Sequence, residues 1–214
     1  MIRFPFLLLL ILVSGQAAGA TLDQVAGTVL RIQGAALTNH HDSSENLGKG
    51  VTVRVGDRIV TGRNARVLLK MKDGAEITLG AETEFVITDY RYSKTARQGS
   101  AALELVRGAF RAVTGAIGKL KGRDFKVKTA AATIGIRGTD FWGGFHFSSA
   151  LDVALLGGAG IYVENATGRV EVTTIGDGTT VQNAESSPSA PIHWGDKKLN
   201  EAKSTVTFGL KPQP

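Results

Sequence analysis

Residues 65–79 read Ala65-Arg66-Val67-Leu68-Leu69-Lys70-Met71-Lys72-Asp73-Gly74-Ala75-Glu76-Ile77-Thr78-Leu79. Val67, Leu69 and Met71 fall on one face of an extended segment, because successive side chains of a strand point to opposite sides. Asp73-Gly74 interrupts the run, and Asp-Gly between alternating segments is a strong signal for a tight hairpin turn. Glu76 to Leu79 then resume the alternation. The stretch predicts two paired strands.

The same rhythm extends in both directions. Segments 84–90, 102–106, 109–113, 125–129, 151–156, 160–164, 169–173 and 179–181 are short, alternating and set off by glycines. No segment carries a sustained 3.6-residue apolar stripe, so the expected class is all-β. The chain has 27 glycines and only five prolines, nearly twice the usual glycine share of about 7%. Many turns between short strands fit a sandwich, a barrel or a solenoid. The strand spacing has no fixed period, so a solenoid here would be an irregular one.

Compartment is legible at the N-terminus. Met1-Ile2-Arg3 is followed by apolar residues 4–13 and then by small residues ending in Ala18-Gly19-Ala20. This is the layout of a secretory signal peptide. The apolar run is about half the roughly 20 residues a membrane-spanning helix needs. Cleavage after Ala20 is expected, giving a periplasmic or secreted protein of residues 21–214. The sequence contains no cysteine, so no disulfide forms and no lipid can be attached to a cysteine after the cleavage site. The expected protein is not a lipoprotein. Loss of Arg3 takes the formal charge from +6 to +5, which favours anionic neighbours such as lipid head groups, acidic glycans or acidic proteins. Nucleic acid is set aside for an exported chain.

Composition divides residues 21–214 into a β domain (21–183), a Ser/Pro linker (184–191) and a C-terminal tail (192–214). The tail holds Trp194 and a charged run, and reads equally as a docked segment with a short helical turn or as a disordered one.

The stretch Ala131-Ala132-Thr133-Ile134-Gly135-Ile136-Arg137-Gly138-Thr139-Asp140-Phe141-Trp142 sets glycines and charges inside an apolar run. It lacks the Lys-Ser/Thr of a phosphate loop and the three spaced glycines of a dinucleotide fingerprint. A structural corner accounts for it. Ile134 and Ile136 share one face, with Thr133, Gly135 and Arg137 on the other. Gly138 supplies a bulge or a positive φ, and Phe141 returns to the core. Arg137 and Asp140 flank the corner and are placed to pair across it, with Thr139 bonding local backbone.

Catalysis finds little support. There is no Gly-x-Ser-x-Gly elbow, and His40, His41, His146 and His193 have no zinc-protease spacing. Asn39-His40-His41-Asp42, with Glu45 nearby, reads as a polar solvent loop, since neighbouring side chains of a strand diverge. No enzyme activity, cofactor or metal is expected. The basic residues are more suggestive. Arg91, Lys94 and Arg97 lie in a charged loop beside Tyr90 and Tyr92, and Lys119, Lys121, Arg123, Lys126 and Lys128 follow. Lys126 and Lys128 share one strand face, opposite Phe125 and Val127. They form either a solvated face guarding a sheet edge or a surface for an anionic partner.

Taken in order, these motifs resemble the FecR domain family of bacterial envelope proteins. Val25-Ala26-Gly27-Thr28-Val29 looks like its opening strand. Gly56-Asp57-Arg58-Ile59-Val60-Thr61-Gly62 is similar to its G-D-x-I-x-T-G turn, and residues 67–79 to its hairpin. Leu103-Glu104-Leu105-Val106-Arg107-Gly108-Ala109-Phe110 follows the same order, and residues 132–141 resemble the hallmark A-x-I-G-V-R-G-T-x-F. The resemblance covers about residues 25–181. It implies a twisted, solenoid-like β domain in which Gly135, Arg137, Gly138, Thr139, Asp140 and Phe141 build a structural corner that is also a contact point. In the best-known members the domain lies in the periplasm and relays a signal from an outer-membrane iron-siderophore transporter to a cytoplasmic sigma factor. Those members carry a cytoplasmic helical segment and one transmembrane helix, where this chain opens on a signal-peptide pattern. The expectation is therefore an exported, stand-alone protein: a non-enzymatic scaffold or sensor binding another envelope protein. The alternative is binding of anionic envelope glycan or lipid through the basic strand faces.

Overall fold

The computed structural model describes residues 24–209 except 42 and 123. The signal-peptide reading and Arg123 lie outside the described residues. Within them the chain shuttles between two sheets. Strand β1 (Val25–Gln33) opens the first sheet, and the hairpin β2 (Ala36–His40) and β3 (Ser43–Asn46) opens the second. Strand β4 (Thr52–Arg54) returns to the first and β5 (Arg58–Thr61) to the second. The hairpin β6 (Arg66–Met71) and β7 (Glu76–Leu79) joins the first, and the long hairpin β8 (Glu84–Ser93) and β9 (Gln98–Arg107) the second. After β10 (Ala109–Val113) in the first sheet comes a 3-10 turn at Ile117–Lys119. Then β11 (Asp124–Lys128) and β12 (Thr133–Ile136) lie in the second. Strands β13 (Thr139–Gly144) and β14 (Leu151–Gly158) are in the first, and β15 (Ile161–Asn165) and β16 (Gly168–Val172) in the second. Finally β17 (Asp177–Val181) and β18 (Ile192–His193) complete the first sheet, and helix α1 (Asp196–Thr205) follows.

Each sheet has nine strands, ordered β4-β1-β6-β7-β10-β13-β14-β17-β18 and β3-β2-β5-β8-β9-β11-β12-β15-β16. The protein is all-β with one short helix, and neither sheet closes on itself. Order in space follows order in sequence except for the first two strands of each sheet. Neighbours are antiparallel apart from β9 and β11, which run parallel because β10 between them crosses to the other sheet.

Alternation explains the core. Strand β6 buries Val67, Leu69 and Met71 and turns Lys70 outward, while β7 buries Ile77 and Leu79. Their pairing sets Lys70 opposite Glu76, with Lys70 Nζ 2.8 Å from the carboxylate. From the second sheet Phe85, Ile87, Leu103, Leu105, Phe125 and Val127 meet them in one continuous core. Phe110 links the layers, its ring 5.6 Å from Phe85 and 5.4 Å from Phe141. Each such side chain contributes about 1.5–3 kcal/mol by leaving water.

Two expectations are corrected. The charged loop predicted over 91–97 is shorter than expected: β8 runs through Ser93 and β9 starts at Gln98, so 91–93 are strand, with Arg91 paired to Ser100 and Tyr92 to Gly99, and only 94–97 form the turn. Ladder hydrogen bonds carry the hairpin on where the side-chain pattern no longer signals a strand. The stretch predicted as a solvent loop around His40 and His41 is not simply that, and its Asp42 lies outside the described residues. His40 ends β2 and its Nδ1 lies 2.5 Å from Oδ1 of Asp57, a buried residue.

Of the two readings of the tail, the docked one is found for 192–209. The Ser/Pro segment is tied down by side-chain hydrogen bonds. Thr179 Oγ1 donates to the Ser189 carbonyl (2.7 Å) and Ser187 Oγ to the Thr167 carbonyl (2.9 Å). Beyond it, β18 pairs with β17, and α1 lies on the outer face of the first sheet over Trp142, Ala154 and Ala109. Trp142 Nε1 donates to Thr205 Oγ1 at 2.9 Å. Lys198 Nζ reaches Asp152 Oδ1 at 2.8 Å and stacks 3.9 Å from the Trp194 ring.

Candidate functional site

The corner begins in β12 on the second sheet and ends in β13 on the first. Gly138 makes the switch with φ +75°, a left-handed conformation that side-chain-bearing residues adopt rarely. Ile134, Ile136 and Phe141 are buried on the two sides of it, as the alternation predicts.

Arg137 and Asp140 do not pair with each other. Because the corner changes sheets, they emerge on opposite outer faces. Arg137 Nη2 donates to Glu171 at 2.6 Å, whereas Asp140 receives a two-pronged contact from Arg111 at 2.8 and 2.6 Å. The Asp140 carboxylate and its hydrogen bond hold the Arg111 guanidinium above its ordinary pKa. The backbone N–H of Thr139 donates to Thr114 Oγ1 at 2.8 Å, and the Thr114 N–H donates back to the Thr139 carbonyl at 3.0 Å. The Thr139 hydroxyl itself, expected to bond backbone, has no hydrogen-bond partner among the described residues although the residue is 3% exposed.

Gly135 serves a different purpose. The Tyr162 ring lies across it, with Cζ 2.0 Å from where a Cβ would stand. Arg169 stacks on that ring at 3.9 Å and also holds Glu164 at 2.9 Å. Lys126, Gly135, Tyr162 and Glu171 form one row across β11, β12, β15 and β16.

The predicted basic residues separate into two groups. Arg91 is paired with Asp89 at 3.0 Å and Lys126 with Asp124 at 3.1 Å, the latter hydrogen bond raising the Lys126 pKa. Lys94 and Arg97, in the β8–β9 turn, and Lys119, Lys121 and Lys128 have no ion-pair partner among the described residues. The 3-10 turn bearing Lys119 packs on β9, where Ile117 Cγ1 sits 2.8 Å from the Cβ position of Gly99. The hairpin tip and the 3-10 turn thus share one end of the molecule.

Sequence reasoning missed what positions that turn. Asp73, read only as a hairpin residue, is buried. Its carboxylate accepts hydrogen bonds from Tyr90 Oη (2.6 Å) and the backbone N–H groups of Ala75 (2.9 Å) and Ile117 (3.0 Å). Burial first, then the Asp73 charge, pushes the Tyr90 pKa upward. No local signal in the text links Asp73 to residue 117, because the contact is long-range.

Between this turn and the corner lies a cleft of about 370 Å³. Thr114, Lys119, Arg137 and Thr139 line it, together with Val113, Gly118 and Gly138. Among the described residues no cluster of three or more His, Asp or Glu side chains is placed to hold a metal.

The geometry defines a two-sheet β module organised around a sheet-switching corner. Residues 57–159 match the FecR protein family model. The chain carries a FecR domain over that span. Two crystal structures of a proposed anti-sigma factor from Parabacteroides distasonis ATCC 8503, at 2.50 and 1.65 Å resolution, share the fold with TM-scores of 0.53 and 0.51. They are 15% and 16% identical to this chain, and the match covers 67% of this chain and 62% of each of those. The match thus spans less than two thirds of those proteins' length, and at that identity it speaks for the fold alone. No curated protein matches the sequence. No helix among the described residues is long and apolar enough to cross a membrane.

Proposed function

We propose that this chain is a non-enzymatic sensor or scaffold module of the bacterial cell envelope that works by binding another envelope protein. The FecR domain over residues 57–159 is the observation that carries this reading. The signature residues support it: they are committed to a corner, a glycine–tyrosine stack and two ion pairs, not to a nucleophile with its base. The signal-peptide pattern supports an exported location. The regular advance of strands along both sheets favours an irregular solenoid-like stack. In such a stack the five-residue edge strand β16 offers backbone groups for β-augmentation. The solved structures described as a proposed anti-sigma factor fit a signalling role.

Lys94, Arg97, Lys119 and Lys121, which have no ion-pair partner among the described residues, favour a second reading, binding of anionic glycan or lipid at that end of the molecule. Affinity capture of tagged residues 21–214 from solubilised envelope, washed at low and at high salt, separates the two. A protein retained in near-equal amount through both washes is the expected result. Recovery of glycan or lipid alone, lost at high salt, overturns the protein-binding reading, because screening shortens to about 3 Å at 1 M salt.

A further inference from the structure

We infer that the corner cleft is a carboxylate receptor, taking an acidic side chain or a chain terminus of the protein partner; the inference rests on the protein-binding reading above. Its four polar lining side chains, Thr114, Lys119, Arg137 and Thr139, all have protons to donate. Thr114 Oγ1 already accepts the Thr139 N–H at 2.8 Å, which leaves its own proton unspent. The Thr139 hydroxyl is buried without a hydrogen-bond partner among the described residues, a state that native structures rarely leave unexplained. Lys119 has no ion pair among the described residues, and Arg137 uses Nη2 on Glu171 while the rest of its fork is uncommitted.

Among the described residues no carboxylate lines the cleft. Glu171 is held by Arg137 and Arg169, Asp140 is turned to the other face by Arg111, and Asp73 is buried beneath the 3-10 turn. A lining of donors without acceptors selects an anion. Val113, exposed at one wall, suits the methylene or backbone carbon that a protein carboxylate brings with it. One free ammonium and a guanidinium shared with Glu171 favour a monoanion over dianionic phosphate. The volume of about 370 Å³ suits a single side chain or chain end. The walls are set in advance by the Thr114–Thr139 backbone pair and the Asp73 anchor, which lowers the cost of binding.

The test is an amide NMR titration of residues 21–214 with four probes. Acetyl-Ala-Ala carries a free terminus, acetyl-glutamate α-amide an acidic side chain, acetyl-Ala-Ala-amide no charge, and inorganic phosphate a different anion. Saturable shifts at Thr114, Gly118, Gly138 and Thr139 with one or both carboxylates, and none with the neutral peptide, are expected. The carboxylate that saturates first identifies the source. Lys119→Gln and Arg137→Gln should each weaken binding about tenfold, and Thr139→Val several-fold, while the rest of the spectrum stays in place. Equal shifts with the neutral peptide, tighter binding of phosphate, or variants that bind like the parent would overturn the assignment. Flat titrations alongside successful envelope capture would sink the cleft but leave the protein-binding reading standing.

Discussion

On the outer face of the first sheet Trp142, Phe147 and Trp194 meet with ring centroids 5.8–6.1 Å apart, under helix α1. On the outer face of the second sheet no helix lies among the described residues. Charged side chains pair there: Arg58 and Arg107 both reach Glu84 and Arg137 and Arg169 reach Glu171, linking neighbouring strands, while Lys126 reaches Asp124 within β11. The inner faces of both sheets feed one apolar core, so the contrast lies in what covers the outer ones. The first sheet presents small residues, Ala109, Ala154 and Gly178, around one large tryptophan, and the tail fills the groove this leaves. The second presents long polar side chains that water solvates. A face whose charges neutralise one another is a poor attractor for a polyanion, which narrows the basic-surface reading to the hairpin end.

The contrast can be broken most severely at Trp142. Trp142→Ala should cost about 3–5 kcal/mol and lower Tm by on the order of 10 °C. Amides of residues 196–205 should exchange faster while β11, β12 and β15 keep their protection. Unchanged exchange in α1 would mean that the tail is held by something other than this aromatic cluster.

Asp152 is the next largest. It is 2% exposed and accepts from Lys198 at 2.8 Å and from Thr180 Oγ1 at 2.7 Å. Asp152→Asn should destabilise by about 1–2 kcal/mol in denaturant titrations. Lys198→Met, which keeps the stem over Trp194, should cost less than that.

On the second sheet the corresponding probe is Gly135→Ala. A Cβ there forces the Tyr162 ring off its seat and away from Arg169, for about 1 kcal/mol. Combined with Tyr162→Ala the added cost should vanish, a coupling that a double-mutant cycle reads directly.

The smallest effect is acid sensitivity at Glu84. The hydrogen bond from Arg107, ahead of the contact with Arg58, holds its pKa below the usual carboxylate value. The stabilisation is complete above the ordinary carboxylate range and is lost as pH falls through it, amounting to a few tenths of a kcal/mol for so accessible a pair. Arg107→Gln should flatten that part of the stability–pH curve and raise the Glu84 titration midpoint seen by NMR.

Much of this was legible in the text. Alternation in residues 65–79 places β6 and β7 within a residue of their observed bounds, and Gly138 marks the positive-φ corner. The sequence also puts Lys126 and Lys128 on one face. It could not show that Lys126 is neutralised by Asp124 within its own strand, or that Arg137 answers to Glu171 thirty-four residues on. Arg137 and Asp140 look like partners because they are close in sequence. The corner between them sends each to a different sheet.

What the sequence determined by itself is local: strand period, turn chemistry and the residues that must be buried, since these depend on a few neighbouring side chains and on water. The tertiary structure alone decided which strands became neighbours across the sheets. It also decided that the C-terminal segment closes one outer face, and that Thr114, Lys119, Arg137 and Thr139 surround a single cleft. Those outcomes depend on contacts between distant segments, made only when the whole core has formed.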